Sequence, residues 1–224
     1  MSITAPHPEN RIFAIGDIHG CIEKLNRLLE LLPYVPERDT LVFIGDYIGR
    51  GRQSRQVVER ISQLCKDNPQ VITLMGNHEL MLFEYNRLGD RNLLEVMRNN
   101  GVEATMTSYG RSNVADLRSL SFLPAKHRDF MENLLPIWQT DQYIFVHAGI
   151  LPDRPLAEQD RDTFCWVRDL FLNNEHDYGK QVIFGHTPFA TPLVTPTKIG
   201  IDTGAVYGNL LTAIELPSMR FYHS

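Results

Sequence analysis

Three times in the first part of the chain a short apolar run ends in glycine, then Asp or Asn, and gives way to a helix-patterned stretch. Arg11–Ile15 leads into Gly16-Asp17-Ile18-His19-Gly20. Thr40–Ile44 leads into Gly45-Asp46-Tyr47-Ile48-Gly49-Arg50-Gly51, and Val71–Met75 into Gly76-Asn77-His78-Glu79. Each run is continuously apolar rather than alternating, the pattern of a strand buried on both faces beneath crossover helices. After the first turn, Ile22, Leu25, Leu28, Leu29 and Leu32 form one helical stripe within Cys21–Leu32, and Pro33 and Pro36 stop it. A second helix is expected over Gln53–Cys65, striped by Val57, Val58, Ile61 and Leu64, and a third from about Glu79. Strand, turn and helix at ~30-residue spacing form the βαβ unit of a parallel sheet.

Beyond the third turn the pattern changes. From about Leu80 to Leu134 the chain is rich in Arg, Asn, Ser and Met, with short helical patterns and no clear strand. This is expected to be a helical insert beside the site, either a plain layer over the sheet or a substrate gate. Strand signals return at Tyr143–Val146, Gln181–Phe184, Lys198–Ile201, Leu210–Leu216 and Arg220–Tyr222. The last three lie close together, which suggests that they form a second, partly antiparallel sheet. Met1–Asn10, with two prolines and little apolar content, reads as a loose arm.

With 224 residues, 43% of them hydrophobic, the chain can bury one sizeable core, and a single domain over 1–224 is expected. A net charge of −5 gives no footprint for nucleic acid or a membrane surface. No apolar run is long enough to span a bilayer, and no charged-then-apolar leader is seen, so a cytoplasmic protein is expected. Cys21, Cys65 and Cys165 are odd in number and widely spaced, which fits reduced core thiols better than a disulfide framework or a thiolate zinc site.

The chemistry gathers at the strand ends. Asp17 and His19 follow the first strand, Asp46 the second, and Asn77 and His78 the third. Val146-His147-Ala148-Gly149 and Phe184-Gly185-His186-Thr187 repeat the form later. Consecutive parallel strands end on one edge, where open α/β sheets bind ligands, so these side chains should converge. A lone Asp there usually caps a helix, and a lone His is more often a satisfied polar residue. Four of the eight histidines at such ends, however, point to a metal site. A nitrogen and oxygen donor set without thiolate suits Mn, Fe, Zn or Co.

Taken in order, GDIHG, GDYIGRG, LMGNHE, VHAG and FGHT resemble the five motifs of the calcineurin-like metallophosphoesterases. They are closest to the phosphoprotein phosphatase branch and its bacterial relatives, including the diadenosine tetraphosphatases. The stretch Ile201-Asp202-Thr203-Gly204-Ala205-Val206-Tyr207-Gly208 is similar to bacterial members too. The resemblance implies an α/β fold, an αββα sandwich of two mixed sheets flanked by helices. It implies two divalent metal ions, manganese first, with iron, zinc, cobalt or nickel as alternatives, and a hydroxide held between them. Asp17 and His19 would bind one metal, Asp46 would bridge, and Asn77, His147 and His186 would bind the second. Arg50 and Arg168 would contact the phosphate together with Asn77, and His78 would be the general acid on the leaving oxygen. Glu79 reads as a helix-start residue.

Two activities are then open. The main expectation is a phosphomonoesterase of the serine/threonine protein phosphatase type, acting on a phosphorylated peptide, protein or small phosphoester. The alternative is a bis(5'-nucleosyl)-tetraphosphatase. A third class, a non-catalytic scaffold of the same fold, is disfavoured by the complete ligand set. Gly49 bears on the choice, because most protein phosphatases of the branch carry there an Asp that orients the GNHE histidine, whereas a neutral residue is usual in the tetraphosphatases. If only the missing carboxylate mattered, Gly49→Asp would raise turnover of a phosphoserine peptide.

Overall fold

The computed structural model describes residues 11–224, so the arm expected over Met1–Asn10 lies outside the described residues. The three expected units form as read. Strand β1 (Ile12–Ile15) precedes helix α1 (Ile22–Leu31), β2 (Thr40–Phe43) precedes α2 (Ser54–Asp67), and β3 (Val71–Thr73) precedes α3 (Asn77–Leu88). The three strands are parallel and adjacent, with Ile12 beside Thr40 and Leu41 beside Val71, so their carboxyl ends share an edge. Four short helices follow: α4 (Arg91–Asn99), α5 (Val102–Ser108), α6 (Val114–Ser119) and α7 (Ala125–Glu132).

Strand β4 (Ile137–Gln139), too short to stand out in the sequence, then pairs antiparallel with β5 (Tyr143–Val146). Helices α8 (Arg161–Trp166) and α9 (Asp169–Leu172) follow, and then β6 (Gln181–Phe184), β7 (Leu193–Val194) and β8 (Lys198–Gly200). The last strands are β9 (Thr212–Leu216) and β10 (Arg220–His223). Two five-stranded sheets result, in the orders β10-β9-β1-β2-β3 and β4-β5-β6-β8-β7. Both are mixed and flanked by helices, the α/β sandwich expected.

One expectation fails. The three C-terminal strands do not make a sheet of their own. β8 joins the second sheet parallel to β6, whereas β9 returns to the first sheet antiparallel to β1, and β10 pairs antiparallel with β9 at its outer edge. β1 has a free edge opposite β2, and the chain closes it. A strand's sequence carries its propensity, not which edge is vacant.

The continuous apolar runs follow from the layering. On β1, Phe13 and Ile15 face the helices, while Ala14 faces the other sheet; on β2, Leu41 and Phe43 face out, and Val42 and Ile44 face in. On β5 and β6, Phe145 and Ile183 meet that same inner layer, while Ile144, Val146, Val182 and Phe184 pack outward against Phe164 and Phe171. Each of these positions therefore meets apolar neighbours, and three cores, one between the sheets and one on each outer face, fix the strand ends against each other.

The start of the first sheet is fastened by charge. Asp39, buried just before β2, accepts from Arg11 Nη2 (2.6 Å), Arg38 Nε (3.1 Å) and the Val35 N–H (2.8 Å). Burial raises the proton affinity of its carboxyl, but these bonds outweigh burial and hold it below the usual value. A depressed folded pKa gives stability that is full above the unfolded value, about 3.9, and is lost as pH falls through the folded one. Asp39→Asn is therefore expected to cost about 2 kcal/mol near neutral pH, since one donor, Arg11, keeps 23% of its side chain exposed. Urea unfolding at pH 7 and pH 3 should show the gap between variant and wild type shrinking at the lower pH.

Candidate metal centre

The five turns meet at one place. Asp17 follows β1, Asp46 follows β2, Asn77 and His78 open α3, His147 follows β5 and His186 follows β6, and all six side chains are buried. Four functional residues hold left-handed backbone: His19 (φ 44°), Asp46 (φ 53°), Arg50 (φ 57°) and His186 (φ 63°). Non-glycine residues in that region cost about 1–3 kcal/mol each and persist only where the surroundings over-determine them. The surroundings do so at Asp46. Glu79 accepts N–H bonds from Asp46 (3.1 Å), Tyr47 (2.9 Å) and Ile48 (3.1 Å), as well as from Gly76 on its own turn (3.1 Å). Its expected place at the helix start is correct, but its larger task, tying two turns together, is invisible in sequence.

Among the described residues, two groups of donors lie within 4.8 Å: His19, Asp46 and His78, and Asp46, His147 and His186. Asp46 belongs to both. Asn77 enters the second through Oδ1, 3.1 Å from His147 Nε2 and 3.0 Å from His186 Nδ1. Asp17 lies beside the centre in a different way, its carboxylate accepting the His186 N–H at 3.0 and 3.2 Å.

The hydrogen bonds fix which nitrogens are bare. His19 Nδ1 lies 2.9 Å from the Ile48 carbonyl, and His147 Nδ1 lies 2.9 Å from the Ile44 carbonyl. A carbonyl only accepts, so both Nδ1 atoms carry the proton and both Nε2 atoms present lone pairs. Those lone pairs face the two oxygens of Asp46 separately, His19 to Oδ2 at 3.3 Å and His147 to Oδ1 at 3.5 Å. His147 Nε2 also faces the acceptor Oδ1 of Asn77. Acceptors aimed at acceptors are repulsive unless a cation lies between them, so the donor set fits a divalent ion on each side of Asp46.

The electrostatics agree. Burial lowers His19 to about 3, His147 to about 4 and His186 to about 2, leaving the neutral imidazole that binds cations. Burial pushes Asp46 up to about 7, and burial with the charges of Asp202 and Asp46 holds the Asp17 carboxyl well above the usual carboxylate range. Asp202, buried and capped by the Gly204 N–H at 2.8 Å, is a third carboxylate at the centre that the sequence reading did not single out. Its only signal was the Asp-Thr-Gly turn after β8.

Two arginines frame the centre. Arg50 donates from Nη1 to His78 Nε2 (2.9 Å), and Arg168, between α8 and α9, donates from Nε to His186 Nε2 (2.9 Å). Two exposed aromatics stand nearby: the Tyr207 ring lies 5.6 Å from the Arg50 guanidinium, and the Trp166 ring meets His186 edge-on at 6.0 Å. Among the described residues, the carboxylate within ion-pair distance of the His78 ring is Asp46, at 3.9 Å. No acid can be added simply at position 49. Gly49 has φ +84°, and a Cβ there would sit 2.0 Å from His78 Nδ1. The gain expected from Gly49→Asp therefore has no room in this backbone.

The sequence profile of the calcineurin-like phosphoesterases matches residues 10–207. A protein of Oceanobacillus iheyensis named bis(5'-nucleosyl)-tetraphosphatase PrpE (asymmetrical) is 30% identical over 243 aligned residues, covering 94% of this chain and 90% of its own. Among solved structures, one provisionally assigned as a diadenosine tetraphosphatase superposes with a TM-score of 0.70 at 21% identity, covering 98% of this chain and 95% of the other. A protein serine/threonine phosphatase from Saccharomyces cerevisiae superposes with a TM-score of 0.63 at 17% identity, covering 97% and 79%. At such identities these two likenesses are of fold. The profile, in contrast, spans every turn that builds the centre, and this chain belongs to the calcineurin-like phosphoesterases, phosphoric ester hydrolases that work with divalent metal ions.

Proposed function

We propose that the chain hydrolyses dinucleoside polyphosphates, the activity set out as the alternative in the sequence reading, and not phosphoproteins. The observation that carries this is the setting of His78. Arg50 donates to its Nε2, and Gly49 leaves its Nδ1 side without a carboxylate. An imidazole so placed is a poor proton donor. A serine alkoxide needs a proton to leave, whereas a nucleotide released from a phosphoanhydride leaves as a weakly basic phosphate oxygen. The name of the Oceanobacillus relative supports the same substrate, and the protein phosphatase reading rests on likeness of fold alone. Exposed Tyr207, beside Arg50, and exposed Trp166, edge-on to the His186 that Arg168 contacts, suit a substrate with a planar base at either end of a phosphate chain.

In this reading Asp17, His19 and Asp46 hold one divalent ion, and Asp46, Asn77, His147 and His186 hold the other, with manganese the first candidate. His78, whose Nε2 lies in the first donor group, stands beside that ion. Bound divalent ions supply Lewis-acid stabilisation of phosphoryl charge and an activated water. The chain's own residues do the rest. Ile48 and Ile44 carbonyls hold His19 and His147 in the tautomer that presents Nε2. Arg50 and Arg168 offer permanently charged, planar donors to the phosphates. His78 orients Arg50 through the bond to its Nε2.

Three outcomes are expected. With Mn²⁺, kcat/KM for diadenosine tetraphosphate should exceed that for a phosphoserine peptide by at least about tenfold, with a nucleoside monophosphate and triphosphate as products. A preference for the peptide would reinstate the protein phosphatase reading. Asp46→Asn keeps an oxygen to accept the His78 N–H, now at 3.1 Å from Oδ1, so its melting point in chelator should match wild type. Its metal content and its turnover should both fall; full activity with a full metal complement would count against a shared carboxylate. Gly49→Asp should lose about 1–2 kcal/mol of stability on chemical denaturation and slow both substrates, because a side chain at φ +84° displaces His78.

A further inference from the structure

The helical segment after α3 brings one half-buried side chain against Arg50. Arg50 Nη2 donates to Asn100 Oδ1 at 2.7 Å, and the Arg50 backbone N–H donates to the Asn100 carbonyl at 3.3 Å. Asn100 ends α4, and its own Nδ2 donates to the Val96 carbonyl at 2.8 Å. That second bond settles the amide: with nitrogen turned to the helix, the oxygen must face Arg50. The next residue, Gly101, has φ +78°, and a Cβ there would lie 2.6 Å from the Arg50 nitrogen. One turn into α5, Thr105 Oγ1 accepts the Gly49 N–H at 2.8 Å and lies 3.2 Å from Ser54 Oγ. The corner between α4 and α5 is thus closed around the Gly49-Arg50 turn at backbone and side-chain level.

We propose that Asn100 is a positioning residue for phosphate, which makes the α4–α5 corner a working part of the active site and not a covering layer. The inference rests on the reading that Arg50 contacts a substrate phosphate. Arg50 has one end of its fork on His78 Nε2 and the other on Asn100 Oδ1. His78 belongs to the donor group around Asp46, so Asn100 is the anchor that stays fixed whatever occupies the centre. An arginine loses much side-chain freedom when its fork is held, and a fork already held loses little more when phosphate binds. Without Asn100, Arg50 remains charged and present, and phosphate must order it on binding.

The test is a double-mutant cycle read with inorganic phosphate as a competitive inhibitor and with diadenosine tetraphosphate as substrate. Asn100→Ala is expected to raise the phosphate inhibition constant and the KM by about five- to tenfold, with a smaller change in kcat. Asn100→Asp keeps an acceptor oxygen at the same place and should return KM most of the way to wild type. In an Arg50→Ala background, Asn100→Ala should change neither constant. Melting points and metal content of all variants, measured on the same preparations, separate a positioning effect from a folding defect. A loss of equal size in the presence and absence of Arg50 would mean that Asn100 only supports the corner, and would overturn the inference. So would wild-type constants for Asn100→Ala alongside a raised inhibition constant for Arg50→Ala. If Arg50→Ala itself left phosphate inhibition unchanged, the phosphate reading of Arg50 would fall, and the inference with it.

Discussion

The buried carboxylate of Glu79 accepts backbone N–H bonds from Gly76 on its own turn and from Asp46, Tyr47 and Ile48 on the neighbouring one. It holds the ends of β2 and β3 in fixed relation, and with them Asp46 in a left-handed backbone that costs an aspartate energy. The carboxyl of Glu79 is itself pushed up to about 7, by burial and then by the charge of Asp46. A satisfied network of this kind is stiff, because breaking one bond strands several buried groups. Everything at the centre is built outward from it: the orientation of Asp46, the two imidazoles that face its oxygens, and the turn that carries Arg50.

The centre is costly to fold as protein alone. Four functional residues stand in left-handed backbone, four carboxylates (Asp17, Asp46, Glu79 and Asp202) are buried together, and lone pairs face one another at hydrogen-bond distance. The three cores between and around the sheets supply the stability that carries this strain. Divalent cations relieve the electrostatic part of it, which couples metal binding to the stability of the site. Neutral His19 and His147, with Nδ1 committed to the Ile48 and Ile44 carbonyls, already present Nε2 in the form that binds cations.

The same geometry separates chemistries within one family. A carboxylate next to the GNHE histidine favours the protonated ring and hence loss of a basic alkoxide. Here glycine occupies that place, and the arginine takes up the imidazole nitrogen instead. This setting is what supports the proposed cleavage of a phosphoanhydride, in which the departing group needs no proton.

Much of this was legible in the chain itself. Continuous apolar runs ending in Gly-Asp or Gly-Asn specify strands buried on both faces and turns with backbone that glycine allows, and their ~30-residue spacing specifies parallel pairing. From that, β1 to β3, the convergence of Asp46, Asn77, His147 and His186, and the family follow without coordinates, because strand periodicity and turn chemistry are local properties. Tertiary structure alone decided the rest. β9 and β10 went to the free edge of β1 and not to a sheet with β8, since a vacant edge is a property of the assembled sheet. Glu79 reached a turn 31 to 33 residues away, and Asn100 reached Arg50 across 50 residues. Gly49 looked like a missing acid and is instead a position with no room for one, because the His78 ring packs where its side chain would begin. Contacts of that kind depend on distances between segments that fold independently of each other's sequence, and no spacing within the chain encodes them.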